Sequence, residues 1–338
     1  MRAAILKEIG KVSIIDVPKP SPERGEALIK ITTAGICHTD LHVVKGEWMQ
    51  LPTPRPLGHE GIGIVEEMGP DSESDIEVGD RVILGLGGTG GYWCGTCEYC
   101  LDGKSMYCPE RKPIFGIFSE YISLWAQTLV KIPHELSDNE VSLACGGLTA
   151  YRAIKKLESL KISTGKNIAI IGAAGGLGHY AVQIAKSFGY EVIGVDKGPE
   201  RLKFVKEQGA DHAIDASEVG KFVGGVHASV IFAANIPAYN LGIRLLKVGG
   251  TLIGVGIPPF SQGSMSITPF ELIMKDLQIT GSLTGTVEDM RELVQLAVDG
   301  KVKTHVGRTA NLSEINDVFE EMSKGQFVGR AIITNLMK

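Results

Sequence analysis

The run Asn167-Ile168-Ala169-Ile170-Ile171-Gly172-Ala173-Ala174-Gly175-Gly176-Leu177-Gly178 is an apolar pentad followed by a glycine-rich turn. Isoleucine-rich pentads of this kind read as buried strands. The next residues, from His179 to about Phe188, carry Ala181, Val182, Ile184 and Ala185 as an apolar face and read as a helix. A second strand, Glu191-Val192-Ile193-Gly194-Val195, then ends at Asp196, 18 positions beyond Gly178. A glycine-rich turn between strand and helix aims helix N-terminal amides at a pyrophosphate. An acidic residue about 20 positions on accepts ribose hydroxyls. Gly172, Gly175, Gly176, Leu177, Gly178 and Asp196 are therefore candidate dinucleotide ligands. Asp196 favours NAD over NADP, because a carboxylate repels the additional 2′-phosphate. Lys197 and Arg201 are cations that can instead welcome it.

Downstream, strands near 213, over 228–232, 251–254 and 277–283, and a helix near 239–246 continue the alternation. That pattern predicts a doubly wound parallel sheet over residues 150–285. A helix over 287–298 and short mixed elements follow. The tail 286–338 is expected to rejoin the first domain, 1–149, making the cofactor domain an insertion.

Upstream the character is β-rich. Strand-like 27–32 follows the breaks at Pro18, Pro20 and Pro22, and strands at 61–69 and 81–83 flank the turn at Gly79-Asp80. Short strands with many turns suit a small barrel. The segment after His42 holds Trp48, Pro52, Pro54 and Pro56. It reads either as a loop wrapping a cavity, with Trp48 at the substrate, or as a surface loop with one packed tryptophan.

This β-rich part holds the metal chemistry. Cys94, Cys97, Cys100 and Cys108 fall within fifteen positions. Four thiolates so placed can close a tetrahedral shell with no open position, which describes structural zinc. An iron–sulfur cluster also takes four cysteines, but the seven residues before Cys108 exceed the usual spacing to a proline-followed cysteine. Cys37-His38-Thr39-Asp40-Leu41-His42 and Gly58-His59-Glu60 form a second centre. Cys37 and His59 can supply one thiolate and one imidazole while leaving room for a further ligand and an open site. Asp40 can orient His59 through its second ring nitrogen, or simply cap the following helical turn. Thr39 and His42 stand close enough to carry a proton. Of six cysteines only Cys145 is then unassigned, and a return of Cys145 to Cys37 and His59 would complete the set. Taken singly, Cys37 or Cys145 also reads as a small buried thiol.

Composition narrows the class. The chain has 338 residues, 43% hydrophobic and 22% charged, the balance of a two-domain globular enzyme. A net charge of −5 argues against nucleic-acid or membrane-surface partners, which favour a basic face. The start Met1-Arg2-Ala3-Ala4-Ile5-Leu6 runs straight into strand pattern without a signal-peptide design. No apolar run reaches the ~20 residues of a membrane span. A cytoplasmic location is expected, where cysteines bind metal or do chemistry instead of forming disulfides.

Together these strings resemble the zinc-dependent medium-chain alcohol dehydrogenases over essentially the whole chain, most closely the microbial and fungal branch. The resemblance implies a GroES-like catalytic domain with a Rossmann cofactor domain, two zinc ions per subunit, NAD, a small alcohol with its aldehyde or ketone, and a homotetramer. It implies that Cys37, His59 and Cys145 hold the catalytic zinc, with Glu60 an outer group or exchangeable fourth ligand. Thr39 would take the alcohol proton and pass it through the nicotinamide ribose to His42. His38 and Arg330 stand where the family places cations on the pyrophosphate, and Asp196 and Arg201 match the adenosine-ribose residues. Val255, Ile257, Ser282 and Thr284 match positions around the nicotinamide. Two stretches depart from the family: the glycine-rich 85–91 followed by Tyr92-Trp93, where relatives carry a bulky aromatic, and a shortened 115–121. Both border the substrate pocket in the family. The rivals are a polyol or amino-alcohol dehydrogenase, which often has a carboxylate in place of Cys145, a zinc-free quinone reductase, which lacks the cysteines, and a non-catalytic zinc- and nucleotide-binding protein.

Overall fold

The computed structural model describes residues 1–47 and 51–336. It divides into two compact units. One comprises Met1–Leu148, Thr284–Gly300 and the chain from Thr304 on; the other comprises Thr149–Leu283 with Lys301–Lys303. Lys301–Lys303 thus leaves the tail expected to complete the first domain. Gln183 explains the departure: its side chain accepts from Lys303 N at 2.9 Å and donates to Lys303 O at 3.0 Å, while Val302 is buried.

The first unit is organised on the strand Glu26–Ile36, which is long, β-branched and almost wholly buried. Glu60–Met68 and Tyr121–Trp125 pair antiparallel with it, and Arg330–Asn335 pairs with its far end. Among the described residues these belong to a seven-stranded sheet, and Arg2–Glu8 sits between Lys11–Asp16 and Arg55–Pro56 in a three-stranded one. The short helix Ile315–Ser323 buries Ile315, Val318, Phe319 and Met322. This i, i+3, i+4, i+7 stripe joins the core of Ile29, Ile31, Leu57 and Phe118.

The second unit is a six-stranded sheet with all neighbours parallel: His212–Asp215, Glu191–Asp196, Asn167–Ile171, Val226–Ile231, Leu246–Gly254, Gln278–Gly281. Numbered in chain order this is 3-2-1-4-5-6, the doubly wound order, which reverses direction beside Asn167–Ile171. The helix expected after the glycine-rich turn spans Gly178–Ser187. Two further helices, Pro199–Glu207 and Pro269–Met274, begin with proline in their first turn, where its missing N–H costs nothing. Among the described residues no helix is long and apolar enough to cross a membrane.

Candidate functional site

Strand register assembles the first centre. Gly35 lies opposite Glu60, and Ile36 lies opposite Ala331. Cys37, just past the end of one strand, therefore meets His59 and Glu60 at the start of the next and Arg330 at the start of the third. Cys145 follows the 3₁₀ helix Asp138–Ala144. Asp138 anchors that helix by accepting from Thr32 Oγ1 at 2.8 Å and from Arg81 Nη2 at 2.5 Å. Cys37, His59, Glu60 and Cys145 are all buried, and each offers one ligand atom within 4.8 Å of the others.

Cys37 precedes the helix His38–Lys45, and Asp40 closes its first turn by accepting from Cys37 N at 2.9 Å. The other oxygen of Asp40 accepts from His59 Nδ1 at 2.9 Å. The two readings of Asp40, cap and orienting carboxylate, are thus one side chain using both oxygens. His59 Nε2 is buried without a hydrogen-bond partner among the described residues, and with its proton on Nδ1 the ring would offer that nitrogen to a metal. Burial works against charge on His59, but the Asp40 carboxylate outweighs it and holds the ring well above the usual histidine range. Cys145 donates to Cys37, which holds the Cys37 thiol well below its usual value and pushes Cys145 well above. Two sulfurs and one oriented imidazole form the donor set of a catalytic zinc. Burial pushes Glu60 up to about 7, against the opposing charge of Arg330. One Arg330 nitrogen lies 2.5 and 2.6 Å from the two Glu60 oxygens. Arg330 is thus a buried ion-pair partner of Glu60 in the first unit.

Thr39 Oγ1 lies 3.7 Å from Cys37 Sγ. His42 shares a 2.5 Å contact through Nδ1 with Glu47 Oε2, and exposed His38 stands with its ring centroid 6.3 Å from that of His42. Trp48 lies outside the described residues. The glycine-rich stretch passes directly over His59: a Cβ on Gly88 would sit 3.3 Å from His59 Cδ2. Tyr92 packs tilted against Trp125 and Trp93 meets it edge-to-face, with centroids 4.9 and 4.7 Å away.

Cys94, Cys97, Cys100 and Cys108 form the second cluster. Backbone amides are turned onto its sulfurs, Cys97 N 3.3 Å and Cys94 N 3.4 Å from Cys94 Sγ and Cys108 Sγ respectively. The Thr96 and Cys97 amides bring the Cys94 thiol down to about 6, whereas burial first and then its sulfur neighbours push Cys100 up to about 12. Amide donors favour thiolates, so this cluster also fits a metal.

In the second unit Gly172, Gly175, Asp196, Arg201, Asp215 and Ser217 line a cavity of about 1110 Å³ that Lys197 also borders. It lies at the carboxyl ends of the strands beside the reversal of strand order, where open α/β sheets bind ligands. Gly172 adopts φ 86° and approaches Ala233 so closely that a Cβ would sit 2.8 Å from its nitrogen. Asp196 accepts from Ala174 N, Lys197 N and Arg201 Nε at 2.8–2.9 Å. Gly176 and Leu177 are half-buried ahead of the helix that starts at Gly178. Val255 is half-buried, Ile257 is exposed, and the buried Ser282 hydroxyl has no partner among the described residues. Thr284 belongs to the first unit and meets Thr89 Oγ1 at 3.2 Å.

Comparison with known proteins decides the family. Residues 23–134 match the alcohol dehydrogenase GroES-like domain, and residues 176–299 match the zinc-binding dehydrogenase domain. An alcohol dehydrogenase of Geobacillus stearothermophilus is 38% identical over 350 aligned positions, covering 98% of this chain and 99% of that protein. The chain belongs to the zinc-dependent medium-chain alcohol dehydrogenases. Another alcohol dehydrogenase, from Moraxella sp., is 34% identical with full coverage of both chains. Among solved structures, the alcohol dehydrogenase of Aeropyrum pernix superposes with TM-score 0.89 at 35% identity, covering 98% of this chain and 99% of that one. Acetophenone reductase from Geotrichum candidum, solved with NAD, superposes with TM-score 0.87 at 26% identity, covering 99% and 97%.

Two residues of this medium-chain dehydrogenase escape sequence reasoning. Gly35 carries no motif, yet a Cβ there would sit 2.1 Å from Glu60 Oε2. Glu47 had only its place just beyond a glycine helix end as a signal.

Proposed function

We propose that this protein interconverts an alcohol with its aldehyde or ketone, using NAD and a catalytic zinc, with a second zinc in the four-cysteine lobe. The observation that carries this reading is the buried set of Cys37, Cys145 and His59, with His59 turned inward by Asp40. Cys37, His59 and Cys145 would hold the catalytic zinc, and Cys94, Cys97, Cys100 and Cys108 the structural one. When bound, zinc supplies Lewis acidity that makes an alcohol proton labile near neutral pH, and the nicotinamide supplies a hydride acceptor.

The chain's own residues do the rest. Asp40 keeps the His59 proton on Nδ1, so that Nε2 remains a ligand atom. Thr39 Oγ1 would receive the alcohol proton, and His42 would be the residue that passes it on to solvent. The glycine-rich turn would seat the pyrophosphate, and the family resemblance gives His38 and Arg330 as cations for it. Asp196 and Arg201 take the adenosine ribose, and Asp196 supports NAD over NADP. By the family resemblance, Val255, Ile257, Ser282 and Thr284 would be the nicotinamide residues. The family resemblance supports a cytoplasmic homotetramer.

The test is the initial rate of NADH appearance with NAD and a panel of primary, secondary and aromatic alcohols. Turnover that falls on zinc chelation and returns with added zinc is expected. Zinc-replete protein that binds NADH yet turns over no alcohol in the panel would sink the proposal.

A further inference from the structure

The helix His38–Lys45 ends at Gly46, whose φ of 65° turns the chain back on itself. Glu47 N then donates to His42 O at 3.0 Å, which sets Glu47 beside the last turn. A side chain at position 46 would be strained at this φ, where glycine is at ease. The Glu47 carboxylate divides its oxygens: Oε2 lies 2.5 Å from His42 Nδ1, and Oε1 lies 4.0 Å from Lys45 Nζ. His42 is 13% exposed and Glu47 34%, so the contact is shielded on the histidine side.

The arrangement repeats that of Asp40 on His59, where a carboxylate at Nδ1 decides which nitrogen faces the chemistry. We propose that Glu47 is a positioning residue for His42, holding the ring proton on Nδ1 so that Nε2 takes the relayed proton. The inference rests on the function proposed above. In the step it serves, an N–H bond forms at Nε2. The doubly protonated ring then returns one proton to water, and no other bond changes. Glu47 acts only through the His42 ring and is not itself a carrier of the relayed proton.

Two measurements on the zinc-loaded full chain test it. The first is ¹⁵N NMR of histidine-labelled protein, with the His42 resonances assigned by their loss in His42→Asn. Wild type is expected to carry its neutral-ring proton on Nδ1. The second is steady-state kinetics of Glu47→Ala and Glu47→Gln. The alanine variant should lose kcat on the order of tenfold with KM and zinc content unchanged. Glutamine should restore most of it, because its amide oxygen accepts the same hydrogen bond. A wild-type ring protonated on Nε2, an undiminished kcat in Glu47→Ala, or a loss confined to KM or zinc content would each overturn the inference. Wild-type protein that turns over no alcohol would instead defeat the proposed function, and the NMR measurement would still decide whether Glu47 sets the ring.

Discussion

Asp40 Oδ1 lies 2.9 Å from His59 Nδ1, and both side chains are buried. The second oxygen of Asp40 accepts from the amide of Cys37, also at 2.9 Å. One carboxylate therefore ties the start of a helix to two members of the metal-ligating set. Disturbing it moves a thiolate and an imidazole together.

Asp40→Asn should weaken zinc binding at this centre by about 10- to 100-fold, the usual cost of losing an outer carboxylate. An asparagine cannot accept from the Cys37 amide and from the His59 ring with separate oxygens. Turning its NH₂ to the ring favours the tautomer protonated on Nε2, which blocks the ligand atom. Competition with a chromogenic chelator measures the affinity, and a value equal to wild type would disprove the role.

Cys108 is fully buried in the four-cysteine lobe. Cys108→Ser should lower the zinc content from two ions per chain to one, because structural zinc needs its complete shell. The melting temperature should fall by several degrees, given that about 1 kcal/mol is worth ~2–4 °C in a domain of this size class. Retention of both ions, counted by metal analysis, would refute the assignment.

Gly178→Ala should damage cofactor binding more than metal binding. The added Cβ would lie 2.0 Å from Gly172 O and 2.7 Å from Ala173 Cα, and neither backbone atom can step aside. Overpacking of this kind costs about 1–3 kcal/mol. NADH fluorescence titration should show weaker binding with zinc content intact. Wild-type affinity would mean the turn does not seat the pyrophosphate.

The Asp215 carboxyl is held down to about 2, first by the Gly198 amide and then by the Ser217 hydroxyl and amide. The folded value lies below the ~3.9 of an unfolded aspartate. Its contribution to stability is therefore complete above about pH 4 and lost as pH falls through about 2. Thermal melts of wild type should steepen across that window relative to Asp215→Asn. Parallel pH profiles would remove Asp215 from the account.

Features that depend on neighbours in the chain are legible directly. The strand–turn–helix from Asn167 to Ser187 shows because its periodicity and glycines fall within one short window, and the cysteines at 94, 97, 100 and 108 show by spacing alone. Asp40 is legible as a cap for the same reason, since it stands three residues beyond Cys37. Pro199–Glu207 carried a readable start signal in Gly198-Pro199, although its polar surface shows little apolar periodicity. Glu47 stays hidden because its partnership with His42 depends on a left-handed glycine, not on helical spacing.

By itself, the sequence determined the local patterns: a glycine-rich turn between strand and helix, four closely spaced cysteines, and a cysteine and histidine of types that suit zinc. Only the tertiary structure decided how distant parts meet. It paired Arg330 with Glu60 across 270 positions and pressed Gly35 against the Glu60 carboxylate. It also brought Cys145 to Cys37, a meeting that counting cysteines suggests but does not place. The reason is register. Side chains alternate faces along a strand, so a one-residue slip of Glu60–Met68 or Arg330–Asn335 against Glu26–Ile36 would turn these groups away from one another. That register is set by the whole buried face of the sheet, which no short stretch of sequence contains.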